Sequence, residues 1–157
     1  MINIPSFSGL SVCVFGLGRS GLSSAFALKN SGANVSAWDD SEASRMRAYE
    51  TGLELVDLYQ ANWGTFDALV LSPGVALNYP EPHAIVRLAR KYGVEIIGDI
   101  ELLARSKPEA RVIGITGTNG KSTTTALIGH LLQHAGHNVQ VGGNLGVPVL
   151  DLSLIHI

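Results

Sequence analysis

The chain has 157 residues and a 46% hydrophobic content, enough for one ordinary domain or two small ones with alternating helices and strands, and too apolar for disorder. Eleven basic residues against thirteen acidic ones leave a net charge of −2, which gives no electrostatic footprint for nucleic acid or an anionic membrane surface. The start Met1-Ile2-Asn3-Ile4-Pro5-Ser6 lacks a basic region ahead of an apolar core, and no apolar stretch approaches the roughly 20 residues that span a bilayer, so a cytoplasmic location is expected.

The apolar run from Leu10 to Phe15 predicts a strand that ends at Gly16-Leu17-Gly18-Arg19-Ser20-Gly21. Cys13 lies inside it; a lone cysteine cannot form an internal disulfide, which fits a reducing compartment, and it reads as a buried strand residue. Leu22, Ala25, Phe26 and Leu28 then recur at helical spacing until Gly32, and Asn34 to Trp38 forms a second strand that stops at Asp39-Asp40-Ser41, a cap for the next helix. Phe66 to Leu71 reads as a buried strand ending at Ser72-Pro73-Gly74. Pro82 to Lys91 is a helix closed by Gly93, and Val94 to Ile97 is a short strand. Asp99 and Glu101 suit the first turn of a short helix, with a ligand role for Glu101 left open.

Ser106-Lys107-Pro108-Glu109 breaks the pattern and predicts a boundary, giving a first domain of residues 1–107 and a second of 108–157. A strand from Arg111 to Thr116, a loop, a helix to about Ala135 and a strand from Asn138 to Val141 are expected in the second. The expected fold class is α/β: a Rossmann-like amino-terminal domain followed by the start of a second domain that opens as strand, P-loop-type glycine turn and helix.

Gly117-Thr118-Asn119-Gly120-Lys121-Ser122-Thr123 carries the strongest chemical signal, because a glycine-rich loop between strand and helix turns its N–H groups toward a polyphosphate. Lys121 is expected to face the β and γ phosphates, and the Ser122 hydroxyl to ligate the magnesium that bridges them. The loop departs from the strict spacing of the motif, since Ile115 stands at the position of the first glycine and Gly114 one residue earlier. The first glycine turn satisfies G-x-G-x-x-G, and Asp39 stands where a ribose-binding acid belongs, so a dinucleotide site is one reading. An ATP loop on the same chain favours another: an ATP-dependent ligase needs one site for triphosphate and one for an acceptor, whose diphosphate the first unit would anchor. His130 and His134 stand at i, i+4 without a third metal-binding partner nearby, and His83 at a helix start reads as solvated.

In this order, Gly16 to Gly21, Ser72-Pro73-Gly74-Val75, Gly98-Asp99-Ile100-Glu101, Gly117 to Thr123 and Gly143-Asn144-Leu145-Gly146 resemble the successive motifs of the Mur ligases, over roughly Ser8 to Asp151. The Gly-Leu-Gly-x-Ser-Gly opening and the asparagine of the second loop are most similar to the D-glutamate-adding branch. The alanine-adding branch usually carries histidine there, and folylpolyglutamate synthases share the second loop but not the first domain.

The resemblance implies a monomeric enzyme of peptidoglycan synthesis that joins D-glutamate to UDP-N-acetylmuramoyl-L-alanine, using ATP and Mg2+ to make an acyl phosphate that the amine then displaces. It also implies UDP-substrate binding by Gly18, Arg19, Ser20, Asp39 and Asp40, a place near the muramoyl group for Ser72, Pro73, Gly74 and Asn144, ATP binding by residues Gly117 to Thr123, a catalytic role for Lys121, and metal binding by Ser122. The family continues with a magnesium-binding glutamate, a carbamylated lysine, a histidine and a carboxy-terminal domain. None of these is found in the sequence, so an inactive, truncated fragment is expected, with residues 153–157 a scar outside the fold. A non-catalytic nucleotide-binding fragment and an NAD(P)-binding oxidoreductase module are the alternatives.

Overall fold

The computed structural model describes residues 1–106, 111–143 and 146–152. Its centre is a parallel four-stranded sheet in the order β2-β1-β3-β4, formed by β1 (Ser11–Phe15), β2 (Asn34–Trp38), β3 (Ala68–Leu71) and β4 (Glu95–Ile97). The crossovers and flanks are helical: α1 (Arg19–Asn30), α2 (Glu42–Glu50), α3 (Ala84–Tyr92) and α4 (Asp99–Arg105), with α5 (Lys121–His134) beyond them. A parallel sheet is covered on both faces, and alternation along β1 supplies both. Val12 and Val14 enter a core with Ala25, Leu28 and Leu102, while Cys13 and Phe15 enter another with Leu69, Ile85, Ala89 and Trp63. This is the Rossmann-like arrangement expected for the first unit.

Register positions the functional edge. Phe15 pairs with both Trp38 and Leu71, so three strands stop at one level and place Gly16, Asp39 and Ser72 side by side at their carboxyl ends. With β2 on one side of β1 and β3 on the other, this edge is the point where the direction of winding changes, where doubly wound sheets open a crevice.

The second unit departs from expectation. The loop and α5 stand where the sequence predicts them, but Arg111–Thr116 and Asn138–Val141 form no strands. A strand is made by a ladder partner, and among the described residues neither segment has one; Val112 and Ile113 are 64% and 59% exposed. Helix α5 buries only Gly129 and leaves Leu127 and Leu131 exposed. Of the predicted boundary Ser106-Lys107-Pro108-Glu109, residues 107–109 lie outside the described residues.

The chain then returns. A short 3-10 turn at Val149–Asp151 inserts Val149 and Leu150 into the α1 face of the first core, Ile2 N–H donates to Leu150 O at 2.8 Å, and Ser23 Oγ donates to Asp151 Oδ1 at 2.8 Å.

Burial governs the one cysteine. Cys13 is fully enclosed, its Sγ donates to Ala68 O at 3.5 Å, and burial pushes its thiol from an ordinary 9.0 up to about 12, against a smaller lowering by the backbone contact. The folded state thus favours the neutral thiol: that contribution to stability is whole below about pH 9 and is lost as pH rises toward about 12. Iodoacetamide at pH 8 is expected to leave native Cys13 unmodified and to label it fully in guanidinium. Rapid native labelling would show that β1 is not covered as described.

Candidate functional site: a glycine-floored cleft

The turn after β1 forms the floor of the site. Gly16 has φ +91°, and a side chain there would stand 2.8 Å from Ser72 Cβ. Gly21, in the first turn of α1, would put a Cβ 1.8 Å from Gly16 O. Both positions are therefore closed to any larger residue by the fold itself. Ser72 completes the clamp by donating its hydroxyl to Gly16 O at 2.6 Å. Gly18 differs: its φ of −70° suits any residue, and nothing lies within 4 Å of an added Cβ.

Around this floor opens a cleft of about 400 Å³ lined by Gly16, Gly18, Arg19, Ser20, Asp39, Ser72, Pro73, Gly74, Val75, Gly143, Gly146 and Pro148. Seven of the nine positions expected to hold the UDP-substrate meet here: Gly18, Arg19, Ser20, Asp39, Ser72, Pro73 and Gly74. Asp40 does not line the cleft, and Asn144 lies outside the described residues. The far wall of Gly143, Gly146 and Pro148 was not anticipated from those motifs as a partner of the first turn. Arg19 Nη1 reaches it, donating to Gly146 O at 3.3 Å.

The chemistry of the cleft suits an anion. Gly18 caps α1 without a side-chain hydrogen bond, leaving the first-turn amides without a side-chain acceptor at the positive end of the helix dipole, beside the Arg19 guanidinium. Asp39 is the one carboxylate in the lining, and its charge is already engaged: Oδ2 accepts from Leu17 N–H at 2.5 Å and Oδ1 from Ser41 N–H at 2.8 Å. It ties the end of β2 to the glycine turn. Any contact from Asp39 to a ligand is made with remaining lone pairs.

Asp40 belongs to a neighbouring cluster. Its Oδ1 accepts from the Tyr59 hydroxyl at 2.8 Å, and its Oδ2 lies 3.2 Å from His83 Nε2. His83, expected to be solvated, is instead the cap of α3, accepting from Ile85 N–H through Nδ1, with its ring packed 4.8 Å from that of Phe15. The sequence could not reveal this, because the partners come from three separate segments. Asp99 and Glu101 do occupy the first turn of α4, and Glu101 accepts from Arg105 Nε at 2.8 Å. Arg105 also donates to both oxygens of Glu95, which holds the Glu95 carboxyl below its ordinary value.

The second glycine loop stands apart from this cleft. Gly117 and Gly120 take φ of +150° and +75°, and Gly120 caps α5 without a side-chain bond. Lys121 Nζ folds onto Gly117 O and Thr118 O, and Lys121, Ser122 and Thr123 are exposed. An uncapped fourteen-residue helix with a lysine at its first position fits an anionic group, and the hydroxyls beside it fit a hard cation. Among the described residues no helix is long and apolar enough to cross a membrane.

Comparison with known proteins bears on these features. Residues 10–98 match the family described as Mur ligase MurD-like, N-terminal domain. The chain is 52% identical over 162 residues to UDP-N-acetylmuramoylalanine–D-glutamate ligase of Caulobacter vibrioides (strain NA1000 / CB15N), covering 99% of this chain and 34% of that protein. It is 53% identical over 156 residues to the ligase of the same name from Rhizobium meliloti (strain 1021), covering 97% and 34%. The chain thus spans about a third of the length of these relatives. Among solved structures, shikimate dehydrogenase from Aquifex aeolicus aligns with a TM-score of 0.49 at 19% identity, over 68% of this chain and 48% of that one.

Proposed function

The chain belongs to the Mur ligase family, through its MurD-like N-terminal domain, and we propose that its cleft anchors the UDP part of UDP-N-acetylmuramoyl-L-alanine for an ATP-dependent ligase that adds D-glutamate in peptidoglycan synthesis. The observation that carries this reading is the contrast among the glycines: Gly16 and Gly21 are required by protein contacts, whereas Gly18 faces open space at an uncapped helix start, where a diphosphate needs close approach to the backbone. Arg19 and Ser20 hold that diphosphate, while Ser72, Pro73 and Gly74 serve the sugar, a role also read for Asn144 from its motif.

The second loop, with α5, is read as the start of the ATP-binding central domain. Residues Gly117 to Thr123 bind the triphosphate, Lys121 acts as the catalytic cation on the terminal phosphates, and Ser122 holds magnesium, which when bound neutralises charge during phosphoryl transfer to the alanine carboxylate. Lys121 now sits on loop carbonyls, so phosphate binding exchanges those acceptors for phosphate oxygens. The chain is read as the substrate- and nucleotide-binding part of a cytoplasmic, monomeric ligase.

Calorimetry on this chain tests the reading. UDP-N-acetylmuramoyl-L-alanine is expected to bind and NAD not to; NAD binding alone would instead make the first unit an oxidoreductase module. Magnesium ATP is expected to bind the wild type, and Lys121→Ala to weaken it by about a hundredfold. Equal affinity in the variant would remove Lys121 from the triphosphate site.

A further inference from the structure

Asp40 is held more firmly than an exposed carboxylate requires. Its side chain is 53% exposed, a setting in which ion pairs contribute little, yet each oxygen has its own donor, Tyr59 on one and His83 on the other. The donors are themselves fixed. Ile85 N–H donates to His83 Nδ1, which leaves the ring proton of the neutral imidazole on Nε2, facing Asp40. The Tyr59 amide donates to Asp57 Oδ1 at 2.9 Å, which ties down the turn that carries its ring, and burial, then the hydrogen bond to Asp40, then the charges of Asp40 and Asp57 push its hydroxyl from 10.0 up to about 12.

The backbone beneath is pinned as well. Arg45 Nη1 donates to Asp39 O at 2.7 Å and Asp40 O at 2.9 Å, with its guanidinium 4.6 Å from the Trp38 ring centre. The cluster also reaches the cleft from two sides. Asp39, which lines it, precedes Asp40, and His83 N–H donates to Ala76 O, one residue beyond the lining residue Val75.

We propose that Tyr59 and His83 are positioning residues that hold Asp40 as a fixed acceptor beside the cleft, one residue past Asp39 of its lining, for the hydrogen-bond donors of the nucleoside end of the ligand. This rests on the UDP reading of the cleft and extends it to two residues outside its lining. A carboxylate that keeps free lone pairs while its rotation is blocked accepts from a ribose hydroxyl or a ring N–H without first being ordered by the ligand, so the ordering cost of binding falls.

The test is titration of this chain with UDP, comparing wild type, Tyr59→Phe, Asp40→Ala and the double variant. Tyr59→Phe removes one hydroxyl and leaves the ring. It is expected to weaken UDP about three- to tenfold, Asp40→Ala about tenfold, and the double variant no more than Asp40→Ala alone, because Tyr59 acts only through Asp40. Inorganic pyrophosphate, which lacks the nucleoside, is expected to displace UDP with the same affinity from wild type and Tyr59→Phe. UDP affinity unchanged in Tyr59→Phe, an added loss in the Asp40→Ala background, or a parallel loss of pyrophosphate affinity would each overturn the inference while leaving the UDP reading intact. Failure of the wild type to bind UDP would overturn both.

Discussion

Replacing Gly21 by alanine is expected to cost about 3 kcal/mol or more and to abolish UDP binding with it. The added Cβ would stand 1.8 Å from Gly16 O, a backbone atom held by the Ser72 hydroxyl and by the pairing of β1 with its neighbours. No side chain can rotate to relieve that contact; α1 must move away from the sheet it covers. Gly18→Ala is the companion experiment. Its Cβ meets nothing and its backbone is ordinary, so stability is expected to stay within about 0.5 kcal/mol while UDP affinity falls by at least about tenfold. Urea unfolding and calorimetry on the two variants separate the roles. A stable Gly21→Ala would refute the close packing of α1 on the glycine turn, and a Gly18→Ala that binds like wild type would move the diphosphate elsewhere.

Leu150→Ala carries the second large effect. Leu150 is fully buried in the core of the first unit although it follows α5 in the chain, and its truncation is expected to cost about 2–5 kcal/mol. Leu131→Ala, on the exposed side of α5 at 56% exposure, is expected to change stability by less than about 0.5 kcal/mol. Trp63, buried in the core on the opposite face of the sheet, reports the unfolding of the first unit by fluorescence. Equal midpoints for the two variants would mean that residues 149–151 do not contribute to that core.

The first unit was readable because each strand is a short apolar run closed by a glycine or an acidic turn, and each side of the pleat has its own helix to meet. The apolar run Asn34–Trp38 coincides with β2, and the run Phe66 to Leu71 exceeds β3 only by Phe66 and Asp67, which lead into it. The residues of the cleft were likewise marked, since a glycine turn at the end of a strand announces the carboxyl edge of a sheet. The two later strands were overread for the same reason: an apolar run records a capacity to pair, and pairing depends on a neighbour the run does not name. Val149 and Leu150 left no periodic trace in so short a segment, so their return to the first core was illegible. Asp40, Tyr59 and His83 were opaque in another way, because a hydrogen-bonded cluster drawn from three loops has no spacing. The double engagement of Asp39 by Leu17 and Ser41 adds to its readings as ligand contact and part of a helix cap the duty of tying the glycine turn to the end of β2.

The hydrogen bond from Ile2 to Leu150 also sets an order of events during synthesis. Domains fold as the chain emerges, amino-terminal parts first, and contacts between distant residues wait for both ends. The sheet and α1 can assemble once β4 has left the ribosome, yet the groove that receives Val149 and Leu150 stays open, and the Ile2 amide unmatched, until the whole glycine loop and α5 have followed. A nascent chain halted between these points would carry an apolar groove in search of an occupant, so the last step in closing the first unit is timed by translation of the second.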